Sequence, residues 1–220
     1  MNSPKNKRFG IWTPRLAAIG SALVAALAIT TLPGLADTAY VETAESAAIC
    51  DQVAFTQPFL PFGDQRDYYL APGGAFENGA PGWTMTGGAR VSWFSNAHGI
   101  HGQADKRSLL IPTRGSATTP LTCINLDFPH ARMATANWGW NPELLVEVNY
   151  PDVNSGWVTV GRVTPNSGIA PLRGWKISDD LLLKPELAGA EQGKRRVLVR
   201  FTALKGTWWV DDLYVDPRRH

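Results

Sequence analysis

The chain has 220 residues, with a formal net charge of +2 at pH 7 and 18% charged residues. So small a net charge, with no basic stripe, argues against a nucleic-acid partner. Nine tryptophans and 21 glycines instead favour a β-sandwich, in which glycine serves the turns and aromatic side chains cover the sheets.

Residues 1–39 have the three parts of a secretory signal peptide. Basic residues without any acidic residue come first, an uncharged apolar run follows at residues 16–32, and small residues close the segment. We therefore expect a signal-peptide helix, a flexible leader over residues 40–49, and a secreted or cell-surface location. The alternative is an uncleaved signal anchor that holds the protein at the membrane, although the run is short and rich in alanine for a span.

The two cysteines are Cys50 and Cys123. Outside the reducing cytoplasm an even pair predicts a disulfide. Closing so long a loop would stabilise the fold by roughly 4 kcal/mol in the chain-entropy model. The alternative is two separate buried thiols.

Residues 50–220 are predicted to form one domain of short strands separated by Gly, Pro, Asn and Asp. Alternation of apolar and polar residues, or a short apolar run, marks the clearest strands: residues 124–128, 144–150, 157–163, 196–202 and 208–215. Helical periodicity is limited to one possible turn within residues 179–192. Roughly eight to ten such strands predict an all-β, two-sheet antiparallel β-sandwich of the jelly-roll kind.

The segment Asn137-Trp138-Gly-Trp140-Asn141 is the strongest candidate for ligand contact. Two tryptophans separated by one glycine at a strand end would face the same way and form a platform for the CH face of a sugar ring. The flanking asparagines would hydrogen-bond its hydroxyls. The alternative is that these tryptophans fill the core or cover its edges.

Catalytic patterns are missing from the sequence. It contains no nucleophile-elbow serine and no His-Glu-x-x-His motif. The pairs Asp179-Asp180 and Asp211-Asp212 are sequence neighbours and do not define the two-carboxylate cleft of a glycosidase. His98-Gly-Ile-His101 is predicted to be an exposed loop, since a metal site would need a third ligand. We expect a non-enzyme without an organic cofactor.

Two segments of the domain resemble the galactose-binding-like jelly rolls, a superfamily that includes many carbohydrate-binding modules. Residues 73–79, followed by Gly82-Trp-Thr-Met85, are similar to the opening strands of that superfamily. Residues 208–215 (Trp-Trp-Val-Asp-Asp-Leu-Tyr-Val) resemble its closing strand. Residues 50–220 as a whole most closely resemble a group of secreted actinobacterial proteins of this type.

The resemblance implies a structural calcium ion held by Glu77, by Asp211 or Asp212, and by backbone carbonyls. Calcium takes hard oxygen ligands in a flexible shell, so these carboxylates would clamp the first and last strands together. The alternative is that they are hydrogen-bonded turn carboxylates. The resemblance further implies a non-catalytic module that binds carbohydrate or cell-wall polysaccharide. The alternative function is a structural or protein-interaction domain of the cell envelope without a sugar ligand.

Overall fold

The computed structural model describes residues 53–96, 98–125, 130–164, 174–188 and 194–216. The expected signal peptide, the leader and Cys50 lie outside these residues, so the disulfide stays a prediction. Cys123 is buried in a strand. No helix within the described ranges is long and apolar enough to cross a membrane.

The described residues form strands and short 3-10 turns. The strands are β1 Tyr69–Leu70, β2 Thr84–Thr86, β3 Arg90–Ser92, β4 Ser108–Ile111, β5 Ser116–Thr118, β6 Thr122–Asn125, β7 His130–Asn149, β8 Val158–Val163, β9 Lys176–Ile177, β10 Leu181–Leu182 and β11 Lys194–Asp216. The 3-10 turns are Leu60–Phe62, Pro151–Val153 and Pro185–Ala188. The last of them lies within residues 179–192, where one helical turn was expected to start near Asp179 or Asp180. That start is wrong: the turn begins at Pro185, and the residues before it include β10, which pairs with β7.

Two long strands, β7 and β11, run antiparallel to each other and pass through both layers of the fold. Residues 198–203 of β11 pair with residues 144–149 of β7, and β5 and β8 extend this first layer. Residues 207–216 of β11 pair with residues 130–138 of β7, and β4 and β9 extend the second layer. The hydrogen-bonded network is therefore continuous although it folds into two layers.

One apolar core lies between the layers. Val199 and Phe201 from the first layer share it with Trp208 and Val210 from the second, and all four are fully buried. The inward faces predicted for residues 144–150 and 196–202 are confirmed by the burial of their alternate apolar residues. In the strand predicted at residues 124–128, Ile124 is buried, whereas Leu126 and Phe128 lie outside the described part of the chain. The prediction of an all-β sandwich is confirmed.

The passage between the layers depends on two glycines. Gly206 has φ +71, and an added Cβ there would lie 2.6 Å from the Pro142 Cβ and 2.7 Å from the Trp138 carbonyl oxygen. Gly139 has φ +126, and its Cβ would lie 3.1 Å from the Gly206 Cα. Because only glycine allows both these φ values and this close approach, β7 and β11 can bend together at this point.

Candidate functional site

The tryptophans divide into core and surface residues. Trp83, Trp175 and Trp208 are buried. Others are exposed, above all Trp140, of which 94% is accessible, and Trp93, of which 73% is accessible. The exposed ones are therefore the candidates for ligand contact.

The predicted platform lies in a bulge in the middle of β7, not at a strand end. Trp138 pairs with Thr207 of β11, and the next paired residue of β7 is Glu143, opposite Lys205. Residues 139–142 of β7 therefore lie opposite the single residue Gly206, and the extra chain is pushed outward. We call residues 137–141 the tryptophan bend.

All four predicted contact residues lie in this bend. Trp138 is 48% accessible and Trp140 is almost wholly in solvent. Asn137 is half-buried, and Asn141 is exposed with a left-handed φ of 45°. Asparagine tolerates this conformation better than most residues. The structure thus brings the predicted residues together on the surface. That the two rings share one face, and that they contact a ligand, stays a prediction.

A second candidate site is a group of buried carboxylates that we call the acidic cluster. Asp105, Asp211 and Asp212 each offer an oxygen within 4.8 Å of the others. Asp211 and Asp212 have no accessible surface. Glu77 lies beside the cluster, because its Oε1 accepts hydrogen bonds from the backbone N–H groups of Lys106 at 2.8 Å and Arg107 at 2.6 Å. The first and last parts of the domain therefore meet here.

Asn96 is the main hydrogen-bond donor of the acidic cluster. Its Nδ2 lies 3.0 Å from Asp105 Oδ2, 3.0 Å from Asp211 Oδ2 and 2.7 Å from Asp212 Oδ2. An amide NH₂ carries two hydrogens, so it cannot satisfy three carboxylates fully. Asp105 Oδ1 and Asp212 Oδ1 are buried without a hydrogen-bond partner. The cluster thus contains more carboxylate oxygens than the hydrogen-bond donors of the protein satisfy.

The pKa values show the same excess of acceptor groups. Burial, together with contact with Glu77 and the charge of Asp212, raises the pKa of Asp105 to about 8. Burial and the charge of Asp212 also raise the pKa of Asp211 to about 8. Burial raises the pKa of Asp212 against the opposing effect of Asn96. When the protein folds, the acidic cluster must therefore take up a proton or bind a cation. Its carboxylate oxygens are hard ligands of the kind that calcium prefers.

Local geometry explains how two neighbouring aspartates reach one cluster. The register of β11 against β7 shifts between Asp211 and Tyr214, and Asp212 has φ 49°. Successive residues of a regular strand point to opposite faces, and this bulge releases Asp212 from that rule. Glu77, Asp211 and Asp212 were named on the resemblance, and that they bind a metal stays a prediction. Of these residues, Asp211 and Asp212 lie in the cluster together with Asp105, which the sequence analysis did not name. Asn96 was not named for this site either. Asp105 and Asn96 lie in a loop without any distinguishing local pattern, and only the fold brings them to β11.

His98 and His101 lie beside this cluster, whereas the other acidic pair does not join it. The backbone N–H of His98 donates to Asn96 Oδ1 at 3.0 Å, and His101 lies close enough to Asp212 to lower the pKa of that carboxyl against the effect of burial. His98 and His101 lie in an exposed loop, as predicted, and a His98 Nε2 hydrogen bond with the Trp175 carbonyl oxygen measures 2.8 Å. Asp180 instead forms an ion pair with Arg66 at 2.7 Å. Among the residues that the structure describes, the cluster of three aspartates is the group able to hold a metal ion.

Comparison with known proteins finds structural neighbours only. No family model and no curated protein match the chain. TmCBM61 in complex with β-1,4-galactotriose aligns with a TM-score of 0.40 and 13% identity, over 66% of this chain and 96% of the module. The Caldicellulosiruptor saccharolyticus module CBM27-1 in complex with mannohexaose gives 0.43 and 13%, over 69% and 98% of the two chains.

A cleaved adhesin domain of Lys-gingipain from Porphyromonas gingivalis is similar to the same extent. Its TM-score is 0.42 and its identity 14%, over 66% of this chain and 96% of the adhesin domain. The neighbours thus include both carbohydrate-binding modules and an adhesin. The residues of the chain itself must decide between the possible functions.

Proposed function

We propose that this protein is an exported, non-catalytic domain that binds carbohydrate through the tryptophan bend. The observation that carries the proposal is the exposure of Trp140 at 94% beside Trp138 at 48%. Two large aromatic side chains that are exposed two positions apart offer apolar surface for contact with a ligand. Aromatic rings with adjacent amide groups suit a sugar, which has apolar CH faces and polar hydroxyls.

The backbone of the bend supports binding because it is fixed before any ligand arrives. Gly139 and Gly206 are in contact, and Pro142, the last residue of the bulge, is buried. Proline has a fixed φ and needs no partner for an N–H group. A platform held in this way loses little conformational entropy when it binds, which favours affinity.

We also propose that the acidic cluster holds a structural calcium ion. The ligand residues would be Asp105, Asp211 and Asp212, with Glu77 at the edge of the site. The two buried carboxylate oxygens without partners support this assignment. A bound divalent ion would neutralise the cluster and fasten the loop that contains Asn96 and Asp105 to β11. This role is structural and does not require the ion to touch the carbohydrate.

The tryptophan bend is tested by binding of the purified protein to bacterial, plant and animal polysaccharides. Galactan and mannan belong in the panel because galactotriose and mannohexaose are bound by two structural neighbours. Wild type is compared with the double variant Trp138→Ala/Trp140→Ala. Trp93→Ala is the matched control, since Trp93 is also highly exposed and lies outside the bend. Isothermal titration gives the affinities, and thermal melting checks that each variant is folded.

Saturable binding that falls at least tenfold in the double variant and stays constant in Trp93→Ala is the expected result. Each lost aromatic contact is worth about 0.5–1.5 kcal/mol beyond its buried area, and about 1.4 kcal/mol is a factor of ten. Undiminished binding by a folded double variant would exclude the bend as the site. If no polysaccharide binds, the exposed aromatic surface would serve a protein partner in the cell envelope.

A further inference from the structure

A polar groove lies beside the 3-10 turn Leu60–Phe62, and no residue of the tryptophan bend contributes to it. It is a shallow depression that is largely open to solvent, and its volume is about 460 Å³. We call it the arginine groove. Its lining residues are Phe62, Gly63, Asp64, Gln65, Arg66 and Arg132.

One wall of the groove is a loop that is tied at its base. Thr56 and Tyr68 exchange two backbone hydrogen bonds of 2.8 Å. Inside the loop, Gln57 Nε2 donates to the Gln65 carbonyl oxygen at 2.9 Å. Phe59 is fully buried, with its ring centroid 5.0 Å from that of Tyr68 and 5.6 Å from that of Tyr214. This wall is therefore ordered without a ligand.

The two guanidinium groups of the groove are fixed by one carboxylate. Asp64 accepts hydrogen bonds from Arg66 Nε at 3.0 Å, from Arg66 Nη2 at 2.8 Å and from Arg132 Nη1 at 2.6 Å. Tyr68 OH donates to the same carboxylate at 2.7 Å. Burial alone would raise the pKa of Asp64, but these bonds outweigh it and hold the pKa well below its usual range.

Further contacts complete the positioning of each arginine. Arg132 donates from Nε and Nη2 to the Ser178 carbonyl oxygen, both at 3.1 Å, and lies over the Phe59 ring at 5.2 Å. Arg66 also pairs with Asp180 at 2.7 Å. Both arginine side chains nevertheless keep part of their surface accessible, 26% for Arg66 and 17% for Arg132. The groove thus presents pre-oriented polar groups to solvent.

The charge balance and the aromatic edge of the groove indicate the class of ligand. Two arginines are paired with Asp64 and Asp180, so the network has no net charge that would attract an anion. Phe62 is 42% accessible, and its ring is steadied edge-to-face against His98 with centroids 5.2 Å apart. Gln65 is exposed beside it. An aromatic surface next to neutralised, fixed polar groups matches a neutral ring that carries hydroxyls.

We propose that the arginine groove binds one neutral sugar unit, such as the terminal or branch unit of a glycan. It is a second site, and it does not rest on binding by the tryptophan bend. The proposal is limited to a single sugar unit because Phe62 is the one aromatic residue among the described residues that line the groove. Charged sugars and phosphate are disfavoured, since each added anion would compete with Asp64 and Asp180 for the same arginines.

The test is a ligand-observed NMR titration of the purified protein with methyl glycosides of galactose, glucose, mannose, xylose and arabinose. Glucuronate and inorganic phosphate are the anionic probes. Phe62→Ala and Gln65→Ala change the groove without touching the Asp64 network, so both variants should fold. Leu60→Ala is the matched control, because Leu60 is 49% accessible on the same turn but does not line the groove. The double variant Trp138→Ala/Trp140→Ala separates the two sites.

The expected result is weak, saturable binding of at least one neutral glycoside. Its affinity should fall about five- to tenfold in Phe62→Ala and Gln65→Ala, the effect of one lost contact in each case. Leu60→Ala and the double tryptophan variant should keep it. The proposal is overturned if no neutral glycoside binds, if phosphate or glucuronate binds more tightly, or if Phe62→Ala and Gln65→Ala bind like wild type. If glycoside binding is lost in the double tryptophan variant alone, the sugar binds at the tryptophan bend. The groove proposal is then refuted, and the function proposed for the bend is not.

Discussion

Calcium is expected to raise the thermal stability of this protein, by an amount that follows from the acidic cluster. Three carboxylates lie within 4.8 Å of one another and two of their buried oxygens lack partners. Calcium sites in extracellular modules have Kd values of about 10⁻⁴–10⁻³ M. At a calcium concentration about 100 times Kd, the folded state gains about 2.7 kcal/mol. In a domain of this size that gain raises Tm by roughly 5–11 °C.

The assay is calorimetric melting in calcium chloride and in EDTA, with magnesium chloride as the control for ionic strength. Asp105→Asn removes one charged ligand, so its calcium-dependent gain should fall below about 1 kcal/mol. Asp152→Asn is the matched variant, because Asp152 lies in the 3-10 turn Pro151–Val153 and outside the cluster. It should keep the full wild-type shift.

Two results would refute this reasoning. Equal Tm values for wild type in calcium and in EDTA would show that the cluster binds protons and not calcium. A full calcium shift in Asp105→Asn would show that calcium binds elsewhere. In that case Asp105 would not be a calcium ligand, although it lies beside Asp211 and Asp212.

Three further predictions concern stability. Gly206→Ala should lower the free energy of unfolding by about 2–5 kcal/mol, because of left-handed backbone strain and overpacking against the bend. Gly156→Ala, with φ +67 and nothing within 4 Å of the added Cβ, should lower it by only about 1–2 kcal/mol. Equal losses in urea unfolding would contradict the close approach at Gly206. Trp140→Ala should change the free energy of unfolding by less than about 0.5 kcal/mol, whereas Trp208→Ala, in the core, should cost about 3–5 kcal/mol, and calorimetry distinguishes the two. Asp64→Asn should cost about 2–3 kcal/mol at neutral pH, since it weakens hydrogen bonds to charged groups. Folding lowers the pKa of Asp64, so the stabilisation by this carboxylate is full above the ordinary pKa of aspartate and is lost as the pH falls below that value. If the difference in unfolding free energy between wild type and Asp64→Asn does not shrink in acid, the ionised role of Asp64 is contradicted.

The fold class and the inward faces of the main strands could be predicted from the sequence. Alternation at Leu144, Val146 and Val148, and at Val199 and Phe201, predicted residues that are in fact fully buried. The physical reason is that a strand exposes and buries alternate residues, so its own pattern records which face meets the core. The exposed tryptophan segment was recognisable from residue type and order, whereas two of the cluster aspartates were named through the family resemblance.

The contacts between distant segments in the acidic cluster and in the arginine groove follow from the three-dimensional fold. Asn96 bonds to Asp212, 116 positions further along the chain, and Arg132 bonds to Asp64, 68 positions earlier. Contacts of this kind leave no local periodicity, because loop residues can point in any direction until strands on both sides fix them. The tryptophan bend shows the same limit. Residues 139–142 bulge outward because Gly206 is the one residue of β11 that lies opposite them, and the sequence of β7 alone carries no record of that partner.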